Sequence, residues 1–234
     1  MTVPPGVAAA AEAAVALIDD GARVGLGSGR AAAAFVERLA ARARGGLTVT
    51  CVATSEAAAR QARAAGLSLV ELGDGPPLDI TVDGADEVAP NLNLVKGRGG
   101  AFVRERIVAA SSRRQVIVVG PEKLVEALGA TGPIPIEIIP MALGLCTRQL
   151  KELGVGPALR ADAATARPFV SDNGNLIVDV TLAATLLNAA AARAFDAELR
   201  SIPGVVDTGL FIGTAERVLV GYPNGRVETR WPEH

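Results

Sequence analysis

Short aliphatic runs alternate with longer, alanine-rich amphipathic stretches along the first half of the chain. The aliphatic runs predict strands at 23–26, 47–53, 67–72, 78–82 and 115–119. The stretches around them predict helices at 4–19, 31–42, 55–65, 101–111 and 121–128. Alternation of strand and helix with short connections indicates right-handed βαβ units. The predicted fold class is therefore α/β, with a doubly wound, mostly parallel, Rossmann-like sheet.

The pattern changes at Thr131. The segment 132–140 contains three prolines and predicts a crossover or edge strand, because each proline removes a hydrogen-bond donor from a sheet. After it, the predicted elements are a helix at 143–153, strands at 168–170 and 176–180, a helix at 186–199 and a strand at 205–211. This β-α-β-β-α-β order predicts a smaller ferredoxin-like α+β domain.

These patterns predict two domains. Residues 1–130 plus 206–234 would form the Rossmann-like catalytic domain, and the segment 217–222 would return to its sheet. Residues 131–205 would form the small α+β domain.

The composition fits this architecture and narrows the function. Half of the residues are apolar but only 3% are aromatic, so the core must consist of Ala, Val, Leu and Ile, as is typical of parallel α/β proteins. A net charge of −2 argues against a nucleic-acid partner or an anionic membrane surface.

Cysteine usage and the N-terminal segment predict a cytoplasmic location. Cys51 and Cys146 stand far apart, as small buried hydrophobes of a reducing compartment would. The apolar segment 7–18 contains Glu12 and follows no basic region, so it predicts an amphipathic helix rather than a signal peptide. No apolar run reaches the length of a membrane span.

The single histidine excludes several kinds of chemistry. It is His234, the last residue, so a Ser-His-Asp or Cys-His mechanism would depend on the chain terminus. We therefore expect carboxylates, lysines, hydroxyls and backbone dipoles to act in any reaction.

Two cations stand at predicted helix beginnings. A glycine-rich turn, Gly25 to Arg30, leads from a strand into a helix, and Lys123 follows the strand at 115–119. A cation in a first helical turn opposes the helix dipole unless an anion lies between them. Together they predict a phosphate site near the carboxyl ends of the strands. The alternatives are a plain tight turn and a lysine that points into solvent.

Carboxylates and a second glycine-rich loop follow the next strand. Asp83 and Asp86 end the strand at 78–82, where they would exchange protons with sugar hydroxyls, bind magnesium or cap a turn. The loop 96–100 begins with Lys96. Glu105 lies on the apolar stripe of the helix after it, which indicates a base. The alternative for Glu105 is a salt bridge to Arg113 or Lys96.

These motifs stand in the order and spacing of a known family. They include 25–29, 54–55, 83–87, 96–99, 104–105, 122–123, 135–140, 172–175 and 202–206. In this combination the chain resembles the ribose-5-phosphate isomerase A family from residue 21 to residue 222.

The resemblance implies an aldose-ketose isomerase that interconverts D-ribose 5-phosphate and D-ribulose 5-phosphate through an enediol, in the non-oxidative pentose phosphate pathway. It implies that Glu105 is the general base and that Asp83, Asp86 and Lys96 open the ring and handle the sugar oxygens. The implied substrate-binding residues are Gly27, Ser28, Gly29, Arg30, Ala31, Asp83, Gly84, Ala85, Asp86, Lys96, Gly97, Arg98, Gly99 and Lys123. It also implies a homodimer or homotetramer with no cofactor and no metal.

Three departures from the family pattern bear on specificity. Arg30 and Ala31 replace a usual hydroxyl pair, Gly120 replaces an acid, and Arg98 replaces a glycine. Because two of these changes add cations, we expect phosphate affinity to persist. The preference for ribose 5-phosphate over a related sugar phosphate stays open. The alternatives are an isomerase of such a sugar phosphate, a non-catalytic sugar-phosphate-sensing domain and an acyl-CoA transferase.

Overall fold

The computed structural model describes residues 3–73 and 75–232, and the chain divides into two compact units. His234 therefore lies outside the described residues. Unit 1 comprises Met1–Ala85, Arg104–Leu124 and Gly213–His234. Unit 2 comprises Asp86–Val103 and Val125–Ile212. Unit 2 extends beyond the predicted small domain by residues 86–103, 125–130 and 206–212, and the predicted domain bounds stay a prediction.

The helices and strands within the described residues are as follows. The helices are α1 (Pro5–Val15), α2 (Gly29–Arg44), α3 (Glu56–Ala64), α4 (Phe102–Ala110), α5 (Leu143–Glu152) and α6 (Ala189–Ser201). The strands are β1 (Ala22–Leu26), β2 (Val49–Ala53), β3 (Ile80–Asp83), β4 (Glu87–Val88), β5 (Leu94–Val95), β6 (Gln115–Val119), β7 (Ile134–Ile138), β8 (Gly156–Leu159), β9 (Leu176–Thr181), β10 (Val205–Thr208), β11 (Leu210–Phe211), β12 (Arg217–Gly221) and β13 (Val227–Arg230). Short 3₁₀ helices span Pro121–Lys123 and Pro140–Ala142. None of these helices has the length and apolar character needed to cross a bilayer.

Unit 1 contains the predicted doubly wound sheet. Its strand order is β13-β12-β6-β3-β1-β2, and every pair is parallel except β12 with β13. Neighbouring residues Cys51 and Val52 of β2 belong to separate apolar clusters, one with Phe35 of α2 and the other with Val108 of α4. Because successive strand residues face opposite sides of a sheet, helices cover both faces. The strand order reverses at β1, where such sheets bind ligands.

Unit 2 contains the predicted ferredoxin-like fold. The chain runs β7-α5-β8-β9-α6-β10, and the antiparallel sheet has the order β10-β7-β9-β8. Its core places Ile134, Ile136 and Ile138 of β7 against Leu150 of α5 and Leu199 of α6. A further small sheet, β11-β5-β4, also lies in unit 2. The predicted fold class is therefore confirmed for both parts of the chain.

The predicted edge or crossover strand at 132–140 is wrong, because β7 lies between β10 and β9. Pro135 is tolerated in this interior strand for a local reason. Its carbonyl accepts a hydrogen bond from the N–H of Gly209, just beyond the end of β10. The side of Pro135 that lacks an N–H donor therefore faces a position at which β10 has already ended.

Three other predicted elements are absent. The helix at 121–128 is replaced by the 3₁₀ helix Pro121–Lys123, after which Leu124 is extended and the N–H of Val125 bonds to the carbonyl of Val88. The strands predicted at 67–72 and 168–170 form only isolated bridges, such as that between Cys51 and Leu69. Lys123 therefore does not stand in the first turn of an α-helix.

Candidate active site

The glycine-rich turn of unit 1 leaves no space for a side chain at Gly27. A Cβ there would lie 2.1 Å from Oδ1 of Asp83. The next residue, Ser28, precedes α2, and Gly29 begins this helix with φ of +85°, which favours glycine. The turn after β1 is therefore pressed directly against the end of β3.

Asp83 is fixed by the backbone of two turns. Its side chain is fully buried, and Oδ1 accepts hydrogen bonds from the N–H of Ser28 at 3.1 Å and of Gly84 at 2.7 Å. Hydrogen bonds from two backbone donors hold the orientation of a carboxylate. Asp83 thus presents a carboxylate of defined direction at the carboxyl end of β3.

Three hydroxyl groups join the turn to α3. Oγ of Ser28 lies 2.9 Å from Oγ1 of Thr54 and donates to Oγ of Ser55 at 2.7 Å. Ser55 is the N-cap of α3, because its Oγ accepts the N–H of Ala58 at 3.0 Å. Sequence reasoning missed this network and placed Ser55 inside the helix predicted at 55–65, although a serine at a helix beginning is a signal for a cap.

Glu105 lies on α4 and is buried, with 5% of its surface exposed. The inward direction agrees with its position on the predicted apolar stripe, beside buried Phe102 and Val108. Arg104 turns the other way and pairs with Glu56 at 3.1 Å. Its role as a base stays a prediction that the burial makes physically reasonable.

The second glycine-rich loop lies in unit 2. The N–H of Lys96 donates to the carbonyl of Gly209 at 2.9 Å, and its Nζ lies 5.6 Å from the ring centre of Phe211. Only 3% of Lys96 is exposed. The N–H of Arg98 donates to Oδ2 of Asp86 at 2.9 Å, which brings two predicted site residues together. Gly97 has φ of +106° and its Cβ position lies 2.5 Å from the ring of Phe102.

The side chain of Arg98 lies beside a buried carboxylate. Its guanidinium donates to Oγ1 of Thr131 at 2.9 Å and lies 3.5 Å from Oε1 of Glu87. Glu87 is fully buried and also accepts N–H bonds from Gly129 and Thr131. A carboxylate therefore lies beside the guanidinium of Arg98, and the expectation that this residue adds a cation for a phosphate stays a prediction.

The remaining predicted residues are placed as follows. Arg30 is exposed near the start of α2, Lys123 is half-buried in its 3₁₀ turn, and Gly99 is exposed. A Cβ at Gly84 would lie 3.4 Å from that of Ala31, so these two positions are neighbours. Ala85, the last residue of the first segment of unit 1, is half-buried.

The side chain of Glu122 folds back towards Gly120. A Cβ on Gly120 would lie 2.2 Å from Oε2 of Glu122, so the Glu122 carboxylate occupies the place of a side chain at position 120. The sequence places Glu122 two positions after Gly120 but does not show that its side chain folds back.

Metal ligands are a separate question. Among residues 3–73 and 75–232, no group of three or more His, Cys, Asp and Glu side chains has an arrangement suited to a metal ion.

The fold and these residues define a class: an α/β protein with a glycine-rich turn and a buried carboxylate at the reversal point of a parallel sheet, and a ferredoxin-like second unit. The sequence model of the family described as ribose 5-phosphate isomerase A (phosphoriboisomerase A) matches residues 50–225. Ribose-5-phosphate isomerase A of Roseiflexus sp. (strain RS-1) is 45% identical over 95% of this chain and 94% of its own. The counterpart from Deinococcus radiodurans is 44% identical over 92% and 93%. The chain belongs to the ribose 5-phosphate isomerase A family.

Solved structures agree in fold. Ribose 5-phosphate isomerase A from Methanocaldococcus jannaschii superposes with a TM-score of 0.90, at 38% identity over 96% of this chain and 97% of that one. A D-ribose-5-phosphate isomerase in complex with phospho-erythronic acid gives a TM-score of 0.92, at 33% identity over 99% and 100%. Both comparisons cover the two units of the chain.

Proposed function

We propose that this protein interconverts D-ribose 5-phosphate and D-ribulose 5-phosphate through an enediol intermediate. The observation that carries the proposal is the buried Glu105 in a chain that matches the family over nearly its whole length. The structural neighbour that holds phospho-erythronic acid supports a phosphorylated sugar as the ligand class. The pathway implied by this reaction is the non-oxidative pentose phosphate pathway.

Glu105 is proposed to move the proton between the carbons. In the open-chain aldose it takes the proton from C2, and the electron pair becomes the C1–C2 double bond of the enediolate. It then returns the same proton to C1, while a proton passes from the O2 hydroxyl to O1. A buried carboxylate suits this role because exclusion of water strengthens its interactions with the substrate.

The other acids and Lys96 are proposed to act on oxygens. Asp83 and Asp86 pass the proton that opens the sugar ring, and the backbone donors on Asp83 hold it in one direction for that step. Lys96 stabilises the negative charge that develops on the enediolate oxygens. Its burial means that little charge reorganisation is needed when the intermediate forms.

The phosphate is proposed to bind at the first turn of α2. Residues 29–31 form the first turn of α2, whereas the N–H groups of Gly27 and Ser28 bond to Val82 and Asp83. An anion at this helix terminus is favoured by the helix dipole. We propose that Lys123, the last residue of the 3₁₀ helix Pro121–Lys123, adds a cation to this phosphate site. We also propose, from the family resemblance, that the substrate binds near Gly84, Ala85, Gly97, Arg98 and Gly99.

A related sugar phosphate is the second candidate substrate. It is favoured by Arg30 and Ala31, where the family usually has hydroxyl groups. Relative kcat/KM values for ribose 5-phosphate and for other pentose and hexose phosphates decide between the two. Binding without turnover of any of them would instead favour the non-catalytic sensing domain.

The assembly is proposed to be a cytoplasmic homodimer or homotetramer. Exposed apolar side chains of unit 2, including Met141 at 95% and Leu187 at 77% exposed, support self-association. Light scattering after size-exclusion chromatography measures the molar mass, and a monomer at micromolar concentration would contradict this part of the proposal.

The decisive experiment is the conversion assay with the Glu105→Gln variant. We expect kcat to fall roughly 10²–10⁴-fold because the general base is lost, while substrate binding persists. Glu56→Gln is the matched control. Glu56 is exposed and pairs with Arg104, which lies on α4 next to Glu105. Full turnover by Glu105→Gln would exclude it as the base, and an inactive wild-type protein would exclude the function. Inhibition by EDTA would restore the magnesium alternative for the two aspartates.

A further inference from the structure

One peptide group in unit 2 is hydrogen-bonded on both of its sides. The amide between Gly97 and Arg98 donates through the Arg98 N–H to Oδ2 of Asp86 at 2.9 Å. Its carbonyl, that of Gly97, accepts from Nη1 of Arg160 at 2.9 Å. A single amide therefore connects the guanidinium of Arg160 to the carboxylate of Asp86.

Arg160 itself is held firmly. Its Nε donates to Oδ2 of Asp179 at 2.8 Å, and its Nη2 bonds to Oδ1 of the same carboxylate. Nη1 also donates to the carbonyl of Arg98 at 3.1 Å. Only 12% of the Arg160 side chain is exposed, and its backbone N–H bonds to the carbonyl of Ile177 in β9. The fork geometry of a guanidinium makes these bonds simultaneously, which a lysine cannot do.

The same loop is supported from its other end. Gly100 has φ of +82°, and a Cβ on it would lie 2.6 Å from the ring of Phe169. That ring lies 5.9 Å from the guanidinium carbon of Arg160, and the N–H of Phe169 bonds to the Arg160 carbonyl. Arg160 thus belongs to the surface on which the loop 97–100 rests.

We propose that Arg160 is a positioning residue for Asp86, acting through the Gly97–Arg98 amide. This rests on the proposed role of Asp86 in the isomerisation. A cation that donates to a carbonyl polarises the amide and strengthens the bond that its N–H makes on the other side. Arg160 also fixes the orientation of that peptide plane, so the carboxylate of Asp86 keeps one direction.

The competing explanation is that Arg160 and Asp179 only stabilise the β8–β9 hairpin. A double-mutant cycle separates the two, because residues that act through one another show non-additive effects. The cycle combines Arg160→Gln with Asp86→Asn and measures kcat and KM for ribose 5-phosphate. We expect Arg160→Gln alone to lower kcat about tenfold with KM changed less than threefold.

In the Asp86→Asn background the same Arg160→Gln change is expected to lower kcat by less than about twofold, because the group it orients is already altered. Equal losses in both backgrounds, or an unaltered kcat for Arg160→Gln alone, would overturn the proposal. Wild-type turnover by Asp86→Asn would instead contradict the proposed role of Asp86 in the mechanism. The Asp86→Asn variant thus tests the mechanism, and Arg160→Gln tests the positioning role.

Arg200→Gln is the matched control, because Arg200 pairs with Asp196 and Asp207 of the same unit and has no bond to the loop. Its kcat is expected to stay within twofold of wild type. If Arg160→Gln lacks a cooperative thermal transition, Arg160→Lys takes its place in the cycle, with an expected loss of about threefold that also disappears beside Asp86→Asn.

Discussion

The two units hold their aspartates by different means. In unit 1, Asp83 accepts hydrogen bonds from the N–H groups of Ser28 and Gly84, and there is no space for a side chain at Gly27 beside it. In unit 2, Asp86 accepts from a loop whose peptide is fixed by the ion pair of Arg160 with Asp179. The first arrangement depends on close packing and the second on charge. Added volume should therefore damage unit 1, and lost charge should damage unit 2.

The largest effect is expected from Gly27→Ala in unit 1. The new methyl group would lie 2.1 Å from Oδ1 of Asp83 and must displace it. We expect kcat/KM to fall about 100-fold, since a shift of about 1 Å in a reacting group has this size of effect. Stability should fall by about 1–3 kcal/mol through overpacking, measured by urea denaturation.

Gly144→Ala is the control for Gly27→Ala. Gly144 lies in α5, and apart from its chain neighbours and the backbone of its own helix no atom lies within 4 Å of its Cβ position. There alanine should leave activity unchanged and raise helix stability by up to about 1 kcal/mol. Equal losses of kcat/KM for both variants would contradict the packing explanation.

The next effect is expected from Glu87→Gln in unit 2. The buried carboxylate accepts N–H bonds from Gly129 and Thr131 and lies near Arg98. An amide keeps the volume but removes the charge, so the free energy of unfolding should fall by about 1.5–3 kcal/mol. Exposed Glu126→Gln is the control, with an expected change within about 0.5 kcal/mol. A stable Glu87→Gln protein would show that charge is dispensable in this unit.

A smaller effect is expected at two helix caps, one in each unit. Ser55 caps α3 in unit 1 and Asn188 caps α6 in unit 2, each by accepting a backbone N–H. Alanine at either position should cost about 1 kcal/mol of stability. Only Ser55→Ala should also lower kcat/KM, because only its hydroxyl bonds to Ser28. A matching loss of activity in Asn188→Ala would mean that the effect arises from stability alone.

The smallest effect concerns the two thiols. Burial raises the pKa of Cys51 in unit 1 to about 12, and burial also raises the pKa of Cys146 in unit 2. Neither should react with a thiol reagent at pH 8 before the protein unfolds. Since the folded state keeps its proton longer, Cys51 contributes stability below pH 9 that is lost progressively between pH 9 and 12. Rapid labelling of the native protein, or the same alkaline loss in Cys51→Ala, would contradict this assignment.

The sequence alone determined the fold class and the direction of Glu105. The period of apolar residues is a local property, so it predicted β1, β6 and α5 and the ferredoxin-like order of unit 2. It placed the second strand of that order at 168–170, whereas the structure has β8 at Gly156–Leu159. The same periodicity placed Glu105 on a buried helix face. The family motifs, which are runs of neighbouring residues, were equally readable.

Only the tertiary structure decided which charges meet. Arg160 bonds to the carbonyl of Gly97 across 63 positions, and no period or motif relates the two. The same holds for the pairing of Arg98 with Glu87 and for the interior position of β7, which contains Pro135. At 121–128 the bond of Val125 to Val88 replaced a helix that local propensity favoured. The physical reason is that such partners depend on which distant segments pack together, whereas periodicity reports only which face of an element is buried.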